Sequence, residues 1–436
     1  MTFSINNRIS AQNLYFFTLS VLSFTFLRKY LILLLPFLFV LAFVSLKLRI
    51  TQNSIILLLL LTVNTFFSGL IDEFYPLNYL VSFCLVILSV LFLFSKPKPD
   101  AQQNKAFVTF IRISANVLLI VNLTALINLV YNVVSHIGII EDSFTGIYGI
   151  SGLAMHTLST VNFLYAIYFY FAGSKLKTVV FVSAGLLCFF GLGLLTFLFS
   201  ILVYTLINSN LKKIITNTVA LLTLLFLVGI AINIINPRAA SYIKFNIASI
   251  IKGADTIDYD REMQLAKGYG FTQTPRKLTF HLGFVKRLFT TPHIILFGTG
   301  PGTYNSRTSF LLNGDYSRIS FVRENSNIRP RFAVTDVYPL WNRQISYQFN
   351  DGTRNEPFST IVAFLVEYGV IFTTLIALLF YLKVKKLSRL SQHRNFLVLS
   401  FIFFVISLAG DNYWEYPEVS WIYITMIKCM EIDTFK

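Results

Sequence analysis

The sequence predicts an all-α fold: a polytopic transmembrane helix bundle of ten to twelve spans with one large extracytoplasmic loop between late spans. Three observations carry that expectation. The 436 residues are 55% hydrophobic and 13% charged, with a mean hydropathy of +0.66 and 45 Phe, more apolar surface than a soluble chain of this length hides. Runs such as LILLLPFLFVLAFVSL (31–46) and IILLLLLTVNTFFSGL (55–70) approach the ~20 residues that cross a hydrocarbon core. The polar mass, in contrast, collects in residues 235–358, which hold 16 of the 36 Lys and Arg and 9 of the 20 Asp and Glu, a net charge of 16 − 9 = +7. The alternating ten-residue strands of a transmembrane barrel are absent from the sequence.

In chain order, spans are expected at 12–27, 31–46, 54–70, 79–95, 107–131, 153–172, 178–190, 192–208, 214–234, 359–382, 395–409 and 419–431. Lys47 and Arg49, then Lys96, Lys98 and Lys105, Lys175 and Lys177, Lys212 and Lys213, and the cluster Lys383, Lys385, Lys386, Arg389 and Arg394 fall on one side. The positive-inside rule makes that side cytoplasmic. Asp72 and Glu73, Glu141 and Asp142, and Asp411, Glu415 and Glu418 fall on the other, with Arg28 and Lys29 as the exception. Both termini are then cytoplasmic and the 235–358 loop is outside; its own charge is no objection, because the rule does not govern long loops. The chain divides into an N-terminal bundle (1–234), the loop (235–358) and C-terminal helices (359–436). Arg8 followed by an apolar run reads as the start of the first span, since more spans follow. Cys84, Cys188 and Cys429 lie in or beside apolar stretches and form neither a disulfide framework nor a zinc spacing.

Within the loop, TQTPRKLTFHLGFVKRLFTTP (272–292) reads as an amphipathic helix. Thr274 is the expected N-cap, with Pro275 at the first helical position and Pro292 as the stop. Leu278, Leu282, Val285 and Phe289 form one stripe, and Arg276 and Arg287 lie three turns apart on the opposite face. Such a helix lies on a bilayer surface or packs on the bundle. LFGTGPGTYNSR (296–307) follows. Gly298, Gly300 and Gly302 permit tight turns whose N–H groups form an anion-binding nest, with Arg307 next to it. A nucleotide-binding turn is excluded, because no strand–turn–helix context surrounds it. The remaining loop is rich in Arg and aromatics, among them Arg323, Arg343, Tyr316 and Trp341. Arg suits phosphate through its planar fork. Nucleic acid is not expected as a partner, since no nucleic-acid module is present.

These residues resemble the O-antigen polymerase and O-antigen ligase superfamily, polytopic enzymes with large extracytoplasmic loops toward the C-terminal third. Three stretches carry the resemblance: Arg287 separated by ten residues from Gly298, the glycine-rich turn 296–307, and NEPFSTIVAFLVEYGVIF (355–372). The last is similar to the family's return helix, with Ser359 ten residues before Gly369 and Glu367 just ahead of that glycine. GISGLAMHT (149–157) is similar to the segment preceding a mid-chain span, with His156 at its outer end. Where the family often carries His before the Ser position, this chain has Phe358, and FFGLGLLTFLFS (189–200) lacks the Arg often found in a mid-chain hairpin.

The resemblance implies an architecture like that of the lipid-dependent membrane glycosyltransferases. It also implies a reaction joining undecaprenyl-diphosphate-linked oligosaccharides into a surface polysaccharide such as O-antigen, capsule or exopolysaccharide. No cofactor and no metal are implied. The implied partners are the undecaprenyl-diphosphate-linked glycan, membrane lipids, a chain-length regulator and other glycan-assembly proteins, at the bacterial cytoplasmic membrane. Breaking the sugar–phosphate bond releases a diphosphate with added charge, so fixed cations are needed where it develops. Arg287, Arg307 and Arg276 are the candidates, then Lys277, with Gly298, Gly300, Gly302, His156 and Arg323 as further binding residues. The acceptor hydroxyl needs a modest base or hydrogen-bond acceptor. Glu356, His281, Asp336 and His156 are candidates, and Glu367 is an intramembrane acid. A ligase or protein glycosyltransferase shares the loop but uses another acceptor. A flippase places charge within its spans, whereas here charge collects in the loop, with Arg112 and Glu367 inside spans.

Overall fold

The computed structural model describes residues 10–98, 105–135, 143–149, 155–209, 258–268, 274–312, 328–341 and 357–434, with scattered positions between 215 and 251. The bundle contains α1 (Ala11–Phe24), α2 (Leu31–Ser45), α3 (Gln52–Ile71), α4 (Pro76–Phe94), α5 (Ala106–Val134), α6 (Met155–Phe171), α7 (Lys175–Leu187) and α8 (Gly191–Asn208). The loop region contributes α9 (Tyr259–Lys267), α10 (Arg276–Thr290), α11 (His293–Phe297), α12 (Arg307–Leu312) and α13 (Arg331–Asp336). The chain returns through α14 (Thr360–Glu367), α15 (Val370–Leu390), α16 (Arg394–Gly410) and α17 (Pro417–Thr434). Among the described residues the only sheet pairs Leu48–Arg49 with Lys96–Pro97.

The protein is therefore all-α, and five of its helices are long and apolar enough to cross a membrane: Phe26–Ser45, α3, α4, α5 and α8. The expected spans overlap helices, except that 359–382 is divided between two and 214–234 lies largely outside the described residues. Local chemistry sets several ends. Ser10 accepts the Asn13 N–H at the start of α1, and Thr51 accepts that of Ser54 at the start of α3. The start of α5 is capped from afar, where the Asp433 carboxylate accepts the Ala106 and Phe107 N–H groups at 2.9 and 3.0 Å.

The expected short last span, 419–431, is the axis of the bundle. Residues Pro417 to Ile432 of α17 are all buried, against α1, α4, α5, α6 and α15. Polar side chains join it to its neighbours, as in apolar bundles generally: Trp421 donates to Ser89 at 2.8 Å, and Tyr15 meets Thr425 at 3.0 Å. Lys428 and Glu431 add two charges within the expected spans to Arg112 and Glu367. The Lys428 ammonium is buried and donates to the Ser95 carbonyl and, at 2.9 Å, to Glu431, which also accepts from Lys383 at 2.7 Å. A buried charge persists only with such partners.

Contacts sort the connections into two ends. One end gathers the carbonyl of Lys47 with Lys98, Asp433 with Ala106, and the ring of Phe107 with His393. The other gathers Arg28 with Tyr148 and Glu418, His293 with Asp72, and Lys277 with the Gly410 carbonyl. Arg28, the exception to the charge bias, belongs to this second end. It pairs with Glu418 at 3.3 Å and lies over the Tyr148 ring at 4.3 Å. Its charge is matched inside the fold, so it does not behave as a free loop cation.

The loop helices close a second, smaller core at that end, built from Phe280, Ile294, Tyr304, Phe310, Phe332 and Leu340 with Val362 and Val366 of α14. The return segment 359–382, expected as one continuous span, is two helices broken at Tyr368–Gly369. The Val366 carbonyl accepts from Thr299 N–H at 2.7 Å and that of Glu367 from Gly300 N–H at 3.0 Å. A continuous helix would use those carbonyls for its own next turn. Gly369, at φ +81°, reverses the chain where only glycine fits: an added Cβ would lie 2.6 Å from the Leu296 carbonyl.

Candidate functional site

The glycine-rich turn forms the nest that its sequence predicts, and the anion in it is the chain's own. The buried Glu367 carboxylate accepts from Gly302 N–H at 2.7 Å, Tyr304 N–H at 2.8 Å and Ser306 N–H at 3.1 Å. The nest is thus a structural clasp rather than an open ligand cradle. Gly298 (φ +71°) brings the turn against the helix break, since a Cβ there would lie 2.4 Å from the Glu367 carbonyl and 2.7 Å from Gly369 N. The glycines of two separate motifs are therefore backbone neighbours. Asn78 fastens the turn through the Gly302 carbonyl (2.5 Å), Asn412 through that of Asn305 (2.7 Å), and Asn305 donates to the Ser359 carbonyl (3.0 Å).

Arg307 follows and opens α12. Its N–H and the Thr308 hydroxyl donate to the Glu415 carboxylate, and its Nη1 donates to the Glu415 carbonyl at 3.0 Å. Burial, reinforced by the charge of Glu367, pushes the Glu415 carboxyl up to about 8. The Arg307 guanidinium lies 4.6 Å over the Tyr416 ring, and its buried Nε has no hydrogen-bond partner among the described residues. His156 reaches the same ring edge-on at 4.8 Å. Its buried Nε2 is likewise unpartnered and stands 3.8 Å from the Asp411 carboxylate. The Arg28–Glu418 pair adjoins, with Glu418 Oε2 also unpartnered. Two Arg and one His thus face three carboxylates around Tyr413 and Tyr416. Buried polar atoms without partners are uncommon and demand an explanation. Here they supply a fixed donor, a proton-accepting ring and a carboxylate within one buried cluster.

The other expected cations are engaged elsewhere. Arg276 and Arg287 share a face of α10, as their spacing predicts, but that face turns inward. Arg287 forks onto Asp336 at 2.7 and 2.6 Å and lies 4.9 Å over the Phe332 ring. Asp336, a candidate base, is its counter-ion, and the hydrogen bonds that Arg287 donates to that carboxylate raise the hold of Arg287 on its proton. Arg276 donates to the Leu340 carbonyl at 3.1 Å, and Lys277 to that of Gly410. His281 is pushed down to about 4 by burial and by the charge of Lys277. The N-cap of α10 is Pro275 rather than Thr274, whose hydroxyl instead meets that of Thr279 at 2.8 Å. Phe358, at the position where the family often has His, packs edge-on against Phe310 at 4.7 Å in the smaller core. Glu356 and Arg323 lie outside the described residues.

Of the expected residues, His156 and Arg307 meet, while Arg276, Lys277 and Arg287 hold the loop region together. Arg28, Asp411, Glu415, Glu418 and Tyr416 complete the cluster without having been singled out for chemistry. Two signals for them exist in the sequence: an Arg that defies the charge bias, and three acids crowded with aromatics into 411–418 between apolar helices. Compared with protein-family models and with curated protein sequences, the chain matches none.

Proposed function

We propose that the protein is an integral-membrane glycosyltransferase that polymerises undecaprenyl-diphosphate-linked oligosaccharide repeats into a surface polysaccharide, with the His156–Arg307 cluster outside the cytoplasm as its reaction centre. The observation that carries this reading is convergence. Segments 149–157, 296–307 and 355–372 are far apart in sequence and were linked only by resemblance. Yet Gly298 abuts Gly369, and His156 and Arg307 meet at one tyrosine ring.

In the proposed reaction an acceptor sugar hydroxyl attacks the anomeric carbon of the donor, and the bond from that carbon to the phosphate oxygen breaks. The proton passes to His156 Nε2, the atom nearest Asp411, whose carboxylate stabilises the resulting imidazolium. The electron pair leaves with the lipid diphosphate, and Arg307 Nε meets the charge that develops on it. Arg28 and Glu418 hold the floor of the cluster. Asp411 and Glu418 offset its cations, so the site favours charge that develops during reaction over a resting anion.

The test is Arg307→Ala and His156→Gln in cells that display the glycan, with protein levels followed by immunoblot. Single repeats on the carrier lipid, with normal protein levels, are the expected result. Unchanged long chains would refute the assignment. Long chains left on the carrier would instead indicate a ligase, and failure of repeats to reach the outer face would indicate a flippase.

A further inference from the structure

Helix α10 carries apolar residues on both faces, Phe280, Phe284 and Leu288 packing inward on the smaller core. Its cations, Arg276 and Arg287, face the protein interior together with buried Thr279, Phe280 and Gly283. Its uncharged stripe faces outward: Leu278 and Leu282 are half-buried, Val285 is 45% exposed and Phe289 is 82% exposed. A helix bathed in water keeps large apolar side chains off its outer face. The charge that remains outside, Lys286, stands at the flank of the stripe and pairs with exposed Asp260 at 2.8 Å.

Both ends of α10 are tied to the rim of the bundle. At its start Lys277 donates to the carbonyl of Gly410, the last residue of apolar helix α16. Just past its end His293 pairs at 3.0 Å with Asp72, the C-cap of α3, a helix long and apolar enough to cross a membrane. Four residues further on, Phe297 stacks on Phe67 of α3 at 4.9 Å, beside the exposed Phe66 and Leu70. The 15 residues of α10, about 22 Å of helix, therefore run along the rim between two helix ends, level with the edge of the apolar surface.

We propose that α10 is an interfacial lipid-binding helix, lying in the plane of the bilayer surface with Val285 and Phe289 inserted among lipid acyl chains. Its occupant is the bilayer, because its stripe carries no charge to recognise a polar partner and the next helix, α11, packs on apolar α3 through Phe297 and Phe67. The placement does not depend on the reaction catalysed.

The test uses full-length protein bearing Cys84→Ser, with Phe289→Cys, Val285→Cys or Asp260→Cys added singly, labelled with a nitroxide and reconstituted into phosphatidylethanolamine–phosphatidylglycerol vesicles. The same background without an added cysteine serves as the blank. At positions 289 and 285, dissolved oxygen should relax the label several-fold more than a water-soluble nickel chelate does, with the order reversed at 260. Nickel dominating at 289 and 285 would place the face in water and overturn the proposal. Access by neither reagent would mean another protein surface covers it, which overturns the proposal equally. If Phe289→Cys does not accumulate, Val285→Cys carries the same comparison.

Discussion

Removing the Glu367 carboxylate should loosen the clasp between the glycine-rich turn and the helix break, and the structure sets the size of the effect. Three backbone N–H groups point at this one buried side chain: Gly302 on Oε2, and Tyr304 and Ser306 on Oε1. Glu367→Gln preserves shape and one carbonyl oxygen. With that oxygen at the Oε1 position two donors stay satisfied, and the amide NH2 faces the Gly302 N–H, donor against donor. One orphaned buried donor costs about 1–3 kcal/mol. Glu367→Ala orphans all three, about 3–9 kcal/mol before any water enters, a large share of the roughly 5–15 kcal/mol that holds a typical domain together. Heating of membrane proteins is commonly irreversible, so the proper readout is an apparent midpoint at fixed heating time. Fluorescence-detected gel filtration of detergent-solubilised protein supplies it. The midpoints should fall in the order native, Gln, Ala, with a clear gap between the last two. Proteolysis within 298–306 should accelerate in the same order. An alanine variant as heat-resistant and protease-resistant as the native protein would refute the clasp.

Two further outcomes follow from the same geometry. Arg287→Ala strands the Asp336 carboxylate, whose side chain is 7% exposed. Breaking a fully buried pair in this way costs about 3–5 kcal/mol, and less here because Arg287 keeps 24% exposure. The double substitution Arg287→Met with Asp336→Leu should recover most of the lost midpoint, and no loss in the single variant would show that the pair does not hold the loop region. The pH dependence should show Glu415. Its folded-state value, about 8, lies above the usual 4.5, so its contribution to stability is full below about 4.5 and is lost as pH rises through about 8. Midpoints should decline from pH 6 to pH 9, and Glu415→Gln should flatten that decline. A native profile as flat as the variant's would count against the burial of this acid.

The helices were legible because their signals are local. Hydropathy over a window of about twenty residues marks α3, α4, α5 and α8, and the 3.6-residue period of 276–290 marks α10 with Arg276 and Arg287 on one face. Which face turned inward was not legible, since periodicity gives the contrast between faces and not the solvent each one meets. The axial role of α17 was hidden for a related reason. A helix surrounded by protein needs no unbroken apolar run, so Lys428 and Glu431 shorten its hydropathy signal while pairing with Lys383 and the Ser95 carbonyl.

The candidate site divides in the same way. Three glycines in 298–302 announce a nest from composition alone, but its occupant, Glu367, lies some sixty residues away in the chain. Arg28 looked like a fault in the topology until Glu418, 390 residues further on, stood beside it. The sequence by itself determined an all-α apolar chain, the positions of its helices and the polarity of its loop, because each depends on neighbours within a turn or two. Only the tertiary structure decided which charges are matched and which polar atoms remain unmatched. Buried ion pairs and orphaned donors are properties of distance in space, and in this chain the groups that decide them lie up to 390 residues apart.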